Sequence, residues 1–202
     1  MAGSDRCDFD RMTRGLGDRW LICDTEHKIY PSIARNSAPY TATKMLVERH
    51  DIRPDDVKRI VVTGMQMRLV DDFDPRSAVD AQFSLPHAVV MAVTREKLGP
   101  GMHAPERLFD PGVRALLGKV ELVHDVAADA LFFNEQRLRY SVRIDLADGR
   151  SVTQDIEFPR DQPRLGRAGI ERKFRELAGT ILPDAKLDQA IEAVDALDRA
   201  PN

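Results

Sequence analysis

Residues 138–158 read LRYSVRIDLADGRSVTQDIEF, and this stretch decides the fold. Apolar and polar side chains alternate along its first half, a period of two that is typical of a strand with one covered face and one wet face. The segment Ala147-Asp148-Gly149 supplies turn residues between two such runs, so we predict a β-hairpin with strands at 138–146 and 150–158. The apolar face of the first strand consists of Tyr140, Val142, Ile144 and Leu146.

Further strands are predicted at 57–64 and 119–124, where β-branched runs follow turn-like or helix-ending sequence. Apolar periodicity and capping residues predict helices from Ser37 to near Asp51, from Ser84 to about Leu98, from Asp110 to Gly118, and over about 169–182 and 185–199. The combination indicates an α+β fold, with an antiparallel sheet of about four strands, helices on one face in a two-layer lid-type domain, and C-terminal helices.

Two segments carry weaker signals. Residues 65–80 are mixed in character, and we predict a long loop there. The first twenty residues place Phe9, Met12, Leu16 and Trp20 at near-helical spacing, which predicts a short amphipathic helix or an ordered arm.

Composition excludes several classes of protein. The 202 residues include 30 basic and 33 acidic side chains, a net charge of −3 without a basic stripe, so we expect no nucleic-acid partner. No apolar run approaches the length of a membrane span and no signal peptide is recognisable, so we expect a cytoplasmic protein with no membrane partner. The two cysteines, Cys7 and Cys23, form no zinc or disulfide pattern. The scattered histidines His27, His50, His103 and His124 lack metal spacing, so we predict no metal site and expect them to be surface or structural residues.

Five stretches taken in order resemble one known family. They are LGDRWLICDTEHKIYPS, DPRSAVDAQFSLPHAVVMAV, LFDPGVRALLGKVEL, ADGRSVTQDIEFPRDQP and IERKFRELAG. Together they resemble the C-terminal half of the MmgE/PrpD family, which includes 2-methylcitrate dehydratase, cis-aconitate decarboxylase and iminodisuccinate epimerase. The resemblance runs from about residue 9 to residue 198, and AQFSLPHA is its most specific element because the family usually has AQFSLPYA.

The resemblance implies a domain organisation and a partner. Residues 1–23 would form an N-terminal arm, 24–165 the α+β lid-like domain, and 166–202 a helical tail that in the family packs on a large helical domain. That helical domain, which carries acidic and histidine residues assigned to catalysis in the family, has no counterpart in this sequence. An apolar stripe on the helix at 185–199 therefore needs a separate helical-domain chain, a second copy or a rebuilt lid domain to cover it.

Lys28 and His87 are the predicted catalytic residues. Lys28 stands in HKIYPS, where the resemblance implies an active-site lysine, and an ammonium group suits a polycarboxylate substrate. Ser84 as N-cap places His87 in the first turn of a helix, where free N–H groups and the helix dipole favour an anion and keep the imidazole neutral. A solvated loop lysine and a packing histidine in place of the family's tyrosine are the alternatives.

The predicted substrate-binding residues are Arg35, Ser37, Gln82 and Ser84. Arg35 follows the lysine motif and could hold a carboxylate in fork geometry. Where many family members have a cysteine or a histidine soon after the Tyr-Pro pair, this sequence has Ile33 to Ser37, which, like His87 in place of tyrosine, implies an altered substrate or lost chemistry.

Three hypotheses of function follow. The first is a small subunit or C-terminal half of a lyase or isomerase that dehydrates, decarboxylates or epimerises a citrate- or aconitate-like polycarboxylate by cofactor-free acid–base chemistry, inactive without a helical-domain chain. The second is a non-catalytic stand-alone binding or regulatory module, for which a homodimer through the last helix is one arrangement. The third is a piece of a full-length enzyme without separate activity.

Overall fold

A four-stranded sheet lies at the centre of the molecule. In the computed structural model, which describes residues 8–18, 20, 22, 25, 28–65, 68–96, 99–159 and 165–199, the strand order is β2-β1-β3-β4. The neighbouring pairs β1–β3 and β3–β4 are antiparallel, whereas β1 and β2 run parallel. The strands are β1 (Val57–Gly64), β2 (Val120–His124), β3 (Arg137–Leu146) and β4 (Ser151–Pro159).

The predicted hairpin is formed by β3 and β4. Its register pairs Tyr140 with Ile156 and Ile144 with Val152, and the turn contains Gly149 at a φ of 89°, a left-handed conformation that glycine adopts without steric cost. The alternation is confirmed, because the five apolar residues of β3 are buried while the residues between them are partly or fully exposed. The buried residues are Leu138, Tyr140, Val142, Ile144 and Leu146. On the wet face Arg59 pairs with Glu121, and Arg137 pairs with Glu157 at 2.8 Å.

Nine helices lie in the described part of the chain. They are α1 (Asp10–Thr13), α2 (Ser37–His50), α3 (Ala78–Phe83), α4 (Leu85–Val93), α5 (Pro105–Leu108), α6 (Pro111–Leu117), α7 (Val126–Glu135), α8 (Arg167–Ala178) and α9 (Asp184–Asp195). Short 3₁₀ turns occur at Ala34–Asn36, Pro54–Asp56, Pro100–His103 and Leu197–Arg199. None of the helices described combines the length and the apolar character needed to cross a lipid bilayer.

The core forms where α2 packs on β3, β4 and α4. Every residue of α4, LPHAVVMAV, is buried, so this helix gains its stability by burial on all sides. Ser84 caps it by accepting a hydrogen bond from the His87 amide at 3.0 Å, and Pro86 occupies the first turn, where its missing N–H costs nothing. The sheet, the covering helices and the burial pattern confirm the α+β class.

Several local predictions differ from the structure. The sheet is mixed because β2 runs parallel to β1, and α7, between β2 and β3, was not predicted. Asp125 caps α7 by accepting from the Ala127 amide at 2.9 Å. The helix has no clear apolar stripe in its sequence, because apolar residues occur on both its buried and its exposed sides, as the neighbours Phe132 (buried) and Phe133 (exposed) illustrate. The fourth helix ends at Val93 rather than continuing toward Leu98, which lies outside the described residues.

The two regions with weak sequence signals contain short helices. The loop predicted at 65–80 ends early, because Ser77 caps α3 by accepting from the Asp80 amide at 3.2 Å. Among the residues described near the N-terminus, the α-helix is the four-residue α1, and the four large apolar residues predicted to share a helix face, Phe9, Met12, Leu16 and Trp20, are all exposed.

The two C-terminal helices pack against each other and leave an apolar groove. Leu187 of α9 is 2% exposed, whereas Val194 on the same helix is 65% exposed. Ile170 and Phe174 of α8 face Ile191 of α9 across this α8–α9 groove. The predicted apolar stripe is therefore covered only in part by the described residues.

Candidate functional site

The predicted active-site lysine lies on a segment that is fastened to the core. We call residues 28–33 the lysine loop. The Ile33 amide donates to the Gln82 carbonyl at 3.1 Å, and the Ser32 hydroxyl donates to the same carbonyl at 2.7 Å. The buried Asn36 side chain in turn donates to the Ser32 hydroxyl at 2.9 Å. These bonds hold the C-terminal end of the loop against the residues that precede α4.

The middle of the lysine loop contacts α2 through an aromatic pair. The Tyr30 and Tyr40 rings lie 4.2 Å apart between centroids, and the Tyr30 and Thr41 hydroxyls form a hydrogen bond of 3.1 Å. Because Tyr40 is buried, the contact seats the loop on the hydrophobic core.

A positively charged cavity of about 340 Å³ lies between the lysine loop and α8. Its charged lining residues are Lys28, Lys44, Arg172, Lys173 and Glu176. Four cations thus face one carboxylate among the described lining residues. We call this space the lysine cavity. Such an excess of positive charge in a partly enclosed space favours an anionic ligand.

Lys173 joins α8 to the lysine loop directly. Its Nζ donates to the Lys28 carbonyl oxygen. Partial burial lowers the pKa of Lys173, and the charge of Lys28 lowers it further. Lys44 also lies within 3.8 Å of Glu48, so part of its charge is compensated.

His87 lies beneath the lysine loop, inside the core. Its side chain is fully buried, and its Nε2 makes a hydrogen bond of 3.0 Å with the Met102 carbonyl. Burial lowers the pKa of His87 to about 4, so the ring is neutral at pH 7. The capped first turn predicted around His87 is therefore present, but the imidazole does not line the lysine cavity.

The other predicted site residues are spread over two regions. Gln82 and Ser84 lie near the loop, where Ser84 is fully buried and donates to the Asp72 carbonyl at 2.6 Å. The Arg35 guanidinium lies 5.3 Å from the centroid of the Phe132 ring, and the Ser37 carbonyl accepts from the Thr41 hydroxyl at 2.7 Å. None of these four residues lines the lysine cavity. Their roles in substrate binding stay predictions.

Sequence reasoning missed the contribution of α8 to the cavity. Arg172 and Lys173 stand in IERKFRELAG, a stretch that carried the family resemblance but no assigned role. Their basic pair at the end of the chain could have served as a signal, but only the fold brings it to Lys28. His103 was also given no particular role, and it is buried beside the same loop.

Metal binding finds no support in these side chains. Within the described ranges, no group of three or more His, Cys, Asp or Glu side chains is arranged to hold a metal ion. His124 is exposed and pairs with Asp129 at 2.6 Å, and His27 lies outside the described residues.

A family model describes nearly the whole chain. The model of the MmgE/PrpD C-terminal domain matches residues 30–199, so this chain belongs to the MmgE/PrpD family through that domain. No match is found among the curated proteins. The match confirms the resemblance to the C-terminal half of the family, and it includes α8 but begins just after Lys28.

Proposed function

We propose that this chain is the C-terminal half of an MmgE/PrpD-type lyase or isomerase and binds a citrate- or aconitate-like polycarboxylate through the lysine cavity. The observation that carries the proposal is the composition of that cavity, in which Lys28, Lys44, Arg172 and Lys173 surround a single carboxylate, Glu176, among the described lining residues. A ligand with two or three carboxylates would compensate the unbalanced charge.

The cavity suits chemistry at a carbon next to a carboxylate. Removal of a proton there places negative charge on the neighbouring carboxylate oxygens, and fixed ammonium and guanidinium groups stabilise that charge. In dehydration the carbanion expels a neighbouring hydroxyl group, which leaves as water after protonation, and in epimerisation the carbanion takes a proton back on its opposite face. In decarboxylation the loss of CO2, rather than of a proton, forms the carbanion, which then takes up a proton. All three reactions therefore need stabilisation of the same negative charge. No cofactor is part of the proposal, because positioned acids and bases can perform such proton transfers.

A separate helical-domain chain would supply the proton-transferring groups. The family resemblance assigns acidic and histidine residues of the helical domain to this task, and His87 is buried away from the lysine cavity. A catalytic role of His87 stays a prediction. In this proposal the described domain positions and charges the substrate, while the helical domain handles protons.

Binding is tested by calorimetric titration of the chain with citrate. We expect Lys28→Ala and Arg172→Ala each to weaken binding by about five-fold, the effect of removing one partly solvated charge pair. Added salt should weaken binding further by screening. Lys58→Ala is the matched control, because Lys58 is an exposed lysine on β1 outside the cavity. Equal losses in all three variants, or no citrate binding by the wild type, would contradict the proposal.

Activity is tested by adding an MmgE/PrpD helical domain as a separate polypeptide. We expect no turnover of 2-methylcitrate or citrate by either chain alone and formation of the unsaturated acid by the mixture. Lys28→Ala should reduce the rate of the mixture by about 100-fold, the scale for loss of one electrostatic group in an active site. Turnover by this chain alone would show that the proton-transferring half is not needed.

A stand-alone binding module is the second candidate. The exposed apolar lining of the α8–α9 groove favours it, since uncovered apolar surface of this kind promotes association. Light scattering after size exclusion separates the two candidates. A stable homodimer that dissociates on Val194→Asp, with no gain of activity from a helical domain, would favour the module over the enzyme.

A further inference from the structure

Two buried histidines connect the lysine loop to α4. The Nε2 of His87, on α4, makes a hydrogen bond of 3.0 Å with the Met102 carbonyl. The next residue, His103, makes a hydrogen bond of 2.6 Å from its Nε2 to the carbonyl of Pro31 in the lysine loop. The two rings lie 5.4 Å apart between centroids. His87 therefore connects α4 to the turn Pro100–His103, and His103 connects this turn to the lysine loop.

The hydrogen bonds define which nitrogen of each neutral ring carries the hydrogen. A carbonyl oxygen can only accept, so the Nε2 atom of each ring carries the hydrogen, and Nδ1 of the neutral ring is a bare acceptor. Both Nδ1 atoms are buried and have no hydrogen-bonding partner within the described residues. Protonation at Nδ1 would create an N–H group that has no acceptor and a positive charge that is not hydrated. Both are unfavourable in a buried position.

The charges around the pair also oppose protonation. His87 faces His103 and the Arg107 guanidinium, both of which lower the pKa of His87 beyond the effect of burial. Arg107 of α5 is itself paired with Glu96 at 2.6 Å and with Asp110 at 3.8 Å, so both carboxylates are engaged by the guanidinium. Burial lowers the pKa of His103 as well, and this effect outweighs the hydrogen bond to the Pro31 carbonyl, which raises it. In acid, the pair can take up protons only if the rings reach solvent.

We propose that His103 is a positioning residue for the lysine loop: its neutral imidazole, packed beside His87, holds the Pro31 carbonyl at neutral pH and releases the loop in mild acid. The consequence is a loop that presents Lys28 in one place at pH 7 to 8 and opens progressively as the pH falls below 6.5, the ordinary pKa of the exposed imidazole. The proposal concerns the backbone of the loop, so it stands or fails independently of carboxylate binding.

Hydrogen exchange of the amides of Ile29, Tyr30, Ser32 and Ile33 in the full chain tests the proposal. After correction for intrinsic exchange rates, we expect the wild type to lose protection by about ten-fold or more between pH 8 and pH 5, because the open loop binds protons that the closed loop excludes. Amides of β3 should keep their protection. His103→Gln retains a neutral N–H donor, so its loop should be equally protected at both pH values. His103→Leu removes the donor and should expose the loop at both.

His124→Gln is the matched control, because it makes the same substitution at an exposed histidine and should keep the pH response of the wild type. Should His103→Gln fail to fold, an NMR titration of the wild-type imidazole C–H signals decides, since protonation of His103 and opening of the loop must share one midpoint. An unchanged loop in wild type at pH 5, an equal response in His103→Gln, or separate midpoints would overturn the proposal.

Discussion

Two tyrosine hydroxyls in this molecule have opposite surroundings. Tyr140 is buried in the core, and its hydroxyl has no hydrogen-bonding partner within the described residues. Tyr30, in the lysine loop, bonds to the Thr41 hydroxyl. A buried polar group without a partner loses its hydration without compensation, whereas a paired group recovers most of that loss.

Tyr140→Phe should therefore leave the free energy of unfolding unchanged or raise it by up to about 1 kcal/mol, because the substitution removes only an unpaired hydroxyl. The matched variant Tyr30→Phe should lower it by about 0.5 to 1 kcal/mol, since the hydrogen bond between the Tyr30 and Thr41 hydroxyls is lost while Thr41 keeps its bond to the Ser37 carbonyl. Urea denaturation of both variants measures the difference. A loss on Tyr140→Phe larger than on Tyr30→Phe would mean that the Tyr140 hydroxyl is satisfied in solution.

Single residues also mark the limit of sequence reasoning. The strand that ends at Gly64 was predicted, but the contact between Gly64 and the Tyr140 ring was not. A Cβ built on Gly64 would lie 2.2 Å from the Tyr140 ring, so glycine is required there by a neighbour 76 positions away in sequence (140 − 64). Likewise Lys28 was singled out, while Lys173, which donates to its carbonyl, was not. Local sequence patterns predict helix caps and the alternation of buried and exposed residues in strands. They do not predict contacts between segments that are distant in sequence.

Among the elements, α9 depends on one anchoring side chain. Leu187 is buried near Gly179 at the end of α8, while Val194 further along the same helix remains largely exposed. The residues of the predicted apolar stripe therefore contribute unequally to packing: Leu187 is buried against α8, whereas Val194 is not. The stripe itself could be predicted, but which of its residues are covered depends on where α8 lies.

Leu187→Ala should release α9 from α8, with a local loss of about 2 kcal/mol from the removed buried methyl groups and the cavity they leave. Val194→Ala, on the same helix, should change the opening free energy by less than about 0.5 kcal/mol because its side chain is exposed. Hydrogen exchange of the amides of Asp184–Asp195 measures both. Equal protection in the two variants would show that Leu187 does not anchor the helix.

For the whole molecule, stability should fall on both sides of neutrality. His87 has its ordinary value of 6.5 in the unfolded chain and a pKa of about 4 in the folded one. Between these values the unfolded chain binds more protons, so acid favours unfolding by about 1.4 kcal/mol for each pH unit. Burial raises the pKa of Tyr40 and Tyr140, so above their ordinary value of 10.0 the unfolded chain releases protons first and alkali also favours unfolding.

Urea denaturation from pH 4.5 to 11 should accordingly give a dome, with a loss of about 2 kcal/mol between pH 7 and pH 5 assigned to His87. His87→Gln keeps a donor toward the Met102 carbonyl and should reduce the loss of stability in acid, with the part due to His103 remaining. Tyr140→Phe should reduce the loss in alkali. His124→Gln should leave the acid side unchanged. A stability that rises between pH 7 and pH 5 would contradict the buried, neutral state of His87.

The position of β1 has a consequence for how the chain assembles during synthesis. This strand comes first in sequence yet lies inside the sheet, between β2 and β3, so its partners emerge from the ribosome only after residues 124 and 146. Until then its apolar residues and unpaired backbone are available to other chains. Lys58 and Arg59 stand beside the run Ile60–Val62, where charged side chains discourage intermolecular strand pairing. We therefore expect the sheet to form only after β3 has been synthesised, and we expect Lys58 and Arg59 to limit aggregation through β1 until then.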